Sequence, residues 1–197
     1  GGGTGGITVA ARLARALKAP DVAILEPSDR HYYQPLWTLV GGGAARKEST
    51  VRPEADYIPR GATWIREAAA EFRPEENQVI TAGGKVISYD FLVVAPGIQI
   101  DWGKIEGLPA ALGREGVCSN YSYEHVDSTW RFLREMRSGR AIFTMPNTPV
   151  KCGGAPQKIM WLAEHHFRRA GVREAVEVVF ASAGAKIFGV QKYADSL

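Results

Sequence analysis

Apolar residues recur along the chain in two rhythms, and their alternation predicts an α/β fold. Ile7, Ala10, Ala11, Ala14 and Leu17 follow helical spacing. Val22-Ala23-Ile24-Leu25 is a short unbroken apolar run of strand length. The stretches 63–72 and 78–88 alternate loosely and are broken by Pro74, Asn77 and Gly83-Gly84, which predicts an antiparallel meander. Phe91-Leu92-Val93-Val94 is continuous, as a parallel strand buried on both faces should be. Residues 98–116 read as loop, with a turn at Gly107-Leu108-Pro109. Helical spacing returns over 124–137, with Val126, Trp130, Leu133 and Met136 on one face. A strand over 141–145, a helix over 157–170 and a strand over 176–180 then predict a second βαβ unit.

The turns between these elements carry the chemistry. Gly1, Gly3 and Gly6 form the pattern G-x-G-x-x-G ahead of the first helix, and Glu26 ends the following strand 20 residues beyond Gly6. Glycines let backbone approach a pyrophosphate, whose charge a helix amino end favours, and an acid at the second strand can accept bonds from ribose hydroxyls. Glycines, helix, strand and acid in this order predict dinucleotide binding. The pattern alone leaves NAD and FAD open. The aromatic stretch His31-Tyr32-Tyr33-Gln34-Pro35-Leu36-Trp37, followed by Gly41-Gly42-Gly43, suits the lining of a large planar cofactor, with Gln34 offering an amide; ordinary loop packing is the alternative, and His31 reads as a loop hydrogen-bonder. Ala69 is small enough to let backbone contact an adenine, and Ala95-Pro96-Gly97 can pass close beneath a dinucleotide.

Composition narrows the classes. The chain has 197 residues, 45% hydrophobic and 23% charged, with a net charge of +3. That suits one to two soluble domains, and the dispersed basic residues leave no nucleic-acid footprint. Two cysteines exclude a disulfide scaffold, and no Cys/His cluster has zinc-ligand spacing. No signal peptide or apolar run of about 18 residues is present. The chain opens on Gly1 without methionine or a preceding strand and stops at Leu197 just after a strand and turn, so we expect an incomplete fragment.

In the second βαβ unit the place of a second G-x-G-x-x-G is taken by Pro149-Val150-Lys151-Cys152-Gly153-Gly154-Ala155-Pro156-Gln157-Lys158. No acid or arginine follows the strand over 176–180, where Ala181-Ser182-Ala183 stands. The unit thus has the shape of a nucleotide site without its grip. Neighbouring cations and helix amino ends make a thiol more reactive. Lys151, Lys158 and the helix begun at Pro156 supply both, so Cys152 reads as a sulfur nucleophile; a buried, inert thiol is the alternative. Cys118 reads as a structural thiol.

The glycine turn with Thr4, the stretch Glu26-Pro27-Ser28-Asp29-Arg30-His31-Tyr32-Tyr33-Gln34-Pro35, residues 149–158 and Phe188-Gly189-Val190-Gln191-Lys192-Tyr193-Ala194-Asp195 together resemble the sulfide:quinone oxidoreductases. The resemblance runs over essentially the whole chain and about the first half of such an enzyme. It implies a Rossmann-like FAD-binding domain with an antiparallel meander over 1–115, then part of a second Rossmann-like domain over 116–197 that carries the redox cysteine. It implies FAD held by Gly3, Thr4, Gly5, Gly6, Glu26, Gln34, Ala69 and Gly97. Cys152 matches one of two redox cysteines that carry sulfur between sulfide and flavin, electrons passing on to quinone. Glutathione, sulfite or cyanide would take the sulfur, and Lys158, by its charge, would hold anionic sulfur species. The second redox cysteine, most of the quinone site and the bilayer-docking segments are expected outside the chain, so the fragment alone is expected to be inactive. Location on the mitochondrial inner membrane, or on the bacterial cytoplasmic membrane, is implied likewise. Tyr121 stands where other branches of the family carry an additional cysteine. A flavocytochrome-type sulfide dehydrogenase, an NADH:quinone reductase and a non-catalytic flavoprotein are the alternatives.

Overall fold

The computed structural model describes residues 1–197, which divide into two compact units. The first comprises Gly1–Tyr33 with Val51–Gln99, and the second comprises Gln34–Thr50 with Ile100–Leu197. The architecture is α/β, as the apolar rhythms predict.

In the first unit, helix α1 (Thr4–Ala16) is followed by strand β1 (Val22–Leu25). Strand β2 (Arg30–Tyr32) pairs antiparallel with β3 (Val51–Pro53), so part of the expected aromatic loop is strand. The stretch expected as the first meander strand is two elements. Strand β4 (Ala62–Ile65) runs parallel to β1, Ile24 opposite Trp64. Strand β5 (Ala69–Arg73) then pairs with β6 (Gln78–Thr81), and β6 with β7 (Val86–Ser88), as an antiparallel meander. Loose alternation cannot separate these roles, because the parallel partner lies about 40 residues earlier in the chain.

The strand expected over 91–94 does not form. The run lies outside every sheet and Phe91 is 94% exposed. A continuous apolar strand needs lateral backbone partners and cover on both faces. Here β1 pairs with β4 alone, and no strand of these 197 residues bonds to the run.

In the second unit, helix α2 (Trp37–Gly41) leads through three glycines into the loop before β3. Within the expected loop 98–116 lies one short helix, α3 (Leu108–Ala111). Helix α4 (Val126–Glu135), strand β8 (Gly139–Met145), helix α5 (Ala155–Arg169) and strand β9 (Val176–Ser182) follow, β8 and β9 parallel and in continuous register. A final turn of helix, α6 (Gln191–Ala194), ends the unit. Ile159, Ala163 and Phe167 line one face of α5 at helical spacing and pack with Leu133, Ala141 and Val176. The glycines 41–43 pack α2 rather than facing a ring. A Cβ on Gly42 would strike Leu162 at 2.6 Å, and Gly43, at φ +73°, lies against the Trp130 indole. No helix is long and apolar enough to cross a membrane.

Phe167 is 0% exposed at the centre of this core. Phe167→Ala is expected to cost about 3–5 kcal/mol through lost burial and the cavity left behind. Denaturant unfolding of the second unit measures it; a loss below about 1 kcal/mol would mean that the core lies elsewhere.

Candidate active site

In the first unit, Gly3 caps α1 in extended geometry, without a side-chain hydrogen bond, and the first turn holds no acid. The leading amides of such a helix have no intrahelical partner. A Cβ on Gly1 would meet the Ala95 carbonyl oxygen at 2.2 Å, and one on Gly6 the Gly1 carbonyl oxygen at 1.8 Å. The glycine turn therefore closes on itself and on the turn Ala95-Pro96-Gly97, where Gly97 takes φ +77°. Gly3 is different. It has an ordinary φ of −66° and nothing within 4 Å of its missing Cβ. Nothing in the chain's own packing accounts for glycine there.

Glu26 follows β1 and is held at both oxygens. Gly2 N–H donates to Oε2 at 2.8 Å and Ser28 N–H to Oε1 at 2.9 Å. Two backbone donors fix the carboxylate and leave lone pairs for further donors. The Trp64 indole donates to the Glu26 carbonyl at 2.9 Å, tying the ends of β1 and β4 together. Ala69 lies just beyond β4, at the start of β5 and opposite Thr81.

Sequence reasoning missed Glu54. It is 1% exposed, and His31 Nδ1 lies 3.3 Å from its Oε2. His31 is buried in β2 and stacks on Tyr57, which corrects its reading as a loop residue. The other Glu54 oxygen, without a hydrogen-bond partner, lies against Gly2, beside Glu26. Burial pushes the Glu54 carboxyl above its usual range; His31 opposes that rise and the neighbouring Glu26 adds to it. No local pattern marks Glu54, because its partners come from β2 and the glycine turn.

In the second unit, Cys152 lies between β8 and α5 and is half-buried, not sealed in the core. Ala155 N–H donates to its carbonyl at 3.0 Å, starting α5 immediately after it. Lys158, in the first turn, returns its Nζ to 3.6 Å from the Cys152 sulfur. The first turn of α5 holds no acid and no side chain caps it, so its positive end is not neutralised from within. Lys151 points elsewhere and donates to the Gln34 side-chain oxygen. The unit thus brings Gln34, Lys151, Cys152 and Lys158 into one neighbourhood.

Cys118 is half-buried, like Cys152. Burial pushes its thiol above the usual range, and nearby Thr129 opposes that. Tyr121, three residues on, lies with its hydroxyl beside the Cys152 backbone and close enough to feel charge on that thiol. Burial pushes its phenol up too, so Tyr121 stays a protonated donor at neutral pH.

No family model matches the chain. It is 49% identical over 199 residues to the mitochondrial sulfide:quinone oxidoreductase of Dictyostelium discoideum. It is 51% identical over 197 residues to that of Mus musculus. Each alignment covers 100% of this chain and 44% of the relative, so the chain spans less than half the length of these proteins. Among solved structures, the sulfide:quinone oxidoreductase of Aquifex aeolicus superposes with a TM-score of 0.74 at 24% identity, over 92% of this chain and 42% of that one. The putidaredoxin reductase–putidaredoxin complex superposes at 0.61 with 15% identity, over 99% of this chain and 44% of that one. Both support the fold. Over its whole length, the chain is homologous to a 44% stretch of the mitochondrial-type sulfide:quinone oxidoreductases.

Proposed function

We propose that the full-length protein is an FAD-dependent enzyme that oxidises hydrogen sulfide to persulfide or polysulfide sulfur and passes the electrons to a membrane quinone. One observation carries the reading: a half-buried thiol with an ammonium 3.6 Å from its sulfur, in a chain 51% identical to a mitochondrial sulfide:quinone oxidoreductase. Residues 1–115 would form the FAD-binding domain, and 116–197 part of a second Rossmann-like domain. The first unit fits the cofactor. Gly3 is open above its Cα, the amino end of α1 is uncapped, and Glu26 is already oriented. Within this unit pyrophosphate would sit at Gly3, Thr4, Gly5 and Gly6, and ribose at Glu26, with Ala69 and Gly97 completing the contacts.

Bound FAD supplies a two-electron acceptor. Cys152, in a disulfide with a second cysteine elsewhere in the full-length protein, presents an oxidised sulfur to hydrosulfide. Attack forms one S–S bond and breaks another, leaving one cysteine as a persulfide and the other as a thiolate. That thiolate supplies the electron pair bound for quinone. Lys158 holds the anionic sulfur next to Cys152, since an ammonium at this range stabilises negative charge in a half-buried setting. The persulfide sulfur leaves to a nucleophile such as glutathione, sulfite or cyanide. Access to quinone implies a protein docked on the surface of a membrane, the mitochondrial inner membrane in a eukaryote and the cytoplasmic membrane in a bacterium.

Cys152→Ser in the full-length protein is expected to abolish flavin bleaching by sulfide under anaerobic conditions; bleaching at the wild-type rate would remove the proposal. Gly3→Val is expected to leave the circular dichroism unchanged, because the space is open, while lowering bound FAD at least tenfold; full flavin content would move the pyrophosphate elsewhere. With the disulfide reductant removed and both thiols free, iodoacetamide is expected to label Cys152, beside the Lys158 ammonium, at least tenfold faster than Cys118, whose thiol is pushed up by desolvation, followed by peptide mass spectrometry. Equal rates would mean that Cys152 is no more reactive than Cys118.

A further inference from the structure

Behind the Cys152 loop, where α4 and β8 meet the first turn of α5, lies a cavity of about 150 Å³. That is well above the ~15 Å³ needed for one water. Cys118, Asn120, Tyr121, Thr129, Thr144 and Pro156 are among its walls. Two of their oxygens are buried and make no well-formed hydrogen bond. Tyr121 Oη lies beside the Cys152 backbone without a formed hydrogen bond, and Thr129 Oγ1 likewise beside Cys118. Thr129 is only 4% exposed. Its methyl group packs toward Gly41 and its hydroxyl lies beside Cys118. A buried hydroxyl left unpaired costs about 1–3 kcal/mol, so each, only loosely engaged by its neighbour, has capacity to donate to a further partner.

The lining selects the charge of that partner. Its polar side chains are hydroxyls, a thiol and an amide, all neutral and able to donate, and no carboxylate reaches it. The uncapped amino end of α5 adds a positive potential, and Ala155 and Pro156 of that turn form part of the wall. The remaining wall is apolar, from Ile142, Phe143 and Ile159. Hydroxyl donors over an apolar floor suit a small, soft, weakly hydrated anion.

We propose that this cavity is a binding site for hydrosulfide, held beside Cys152 by the hydroxyls of Tyr121 and Thr129. The site rests on the reading of Cys152 as the sulfur-handling residue. It adds a place where the incoming anion waits, and it gives Tyr121 the role of a donor to that anion.

Two measurements on the full-length, flavin-loaded protein test it. Stopped-flow flavin reduction over a range of sodium sulfide concentrations gives an apparent dissociation constant. Tyr121→Phe and Thr129→Val are each expected to raise it at least fivefold, with flavin content and the quinone KM unchanged, and Thr129→Ser is expected to restore it. An unchanged sulfide dependence in both Tyr121→Phe and Thr129→Val overturns the site. Crystals grown in bromide, a redox-silent anion of similar size, are expected to show anomalous scattering within hydrogen-bond distance of Tyr121 Oη. A cavity that holds only water under those conditions also overturns it. Failure of the parent reading shows separately, as sulfide-driven bleaching that survives Cys152→Ser.

Discussion

One short contact organises the candidate chemistry: the Lys158 ammonium, 3.6 Å from the Cys152 sulfur. Neither residue could hold this arrangement from a free loop. Cys152 is fixed by the bond from Ala155 N–H to its carbonyl, and Lys158 by its position in the first turn of the same helix. The helix is fixed in turn by Phe167, Ala163 and Ile159, which seat it on β8 and β9. A core of six buried side chains in the second unit therefore sets the distance between a cation and a sulfur.

The first unit works by a different device. Its glycine turn is packed so tightly on the 95–97 turn that it has no freedom of its own, yet Gly3 opens to empty space. Glu26 is held by two backbone donors before any ligand arrives. A pre-oriented carboxylate avoids part of the ordering cost of binding. Beside it the Glu54–His31 pair is buried with one oxygen unmatched, lying against Gly2.

Local features were legible in the sequence and non-local ones were not. The order of glycine turn, helix, strand and acid carries its meaning within 26 residues, and β1 occupies the residues that its apolar run marks. Helix α5 begins within two residues of the expected start, because Pro156 marks a first helical turn. The parallel pairing of β4 with β1 was hidden, since strand partners 40 residues apart leave no mark on either segment. Residues 91–94 read as a strand from composition alone, and composition cannot say whether a lateral partner exists. The triplet Gly41–Gly43 looked like cofactor lining but serves the close approach of α2 to Trp130 and Leu162. Glu54 and the donor role of Tyr121 appear only when three-dimensional neighbours are known.

The account stands or falls on what Cys152 does when sulfide arrives. The direct measurement is peptide mass spectrometry of the full-length protein, quenched with an alkylating agent after exposure to sulfide without a sulfur acceptor. The account predicts that the peptide containing Cys152 carries additional sulfur, as a persulfide or in a sulfur bridge to a second cysteine. Recovery of Cys152 as an unmodified thiol, with the added sulfur on other residues, would contradict it.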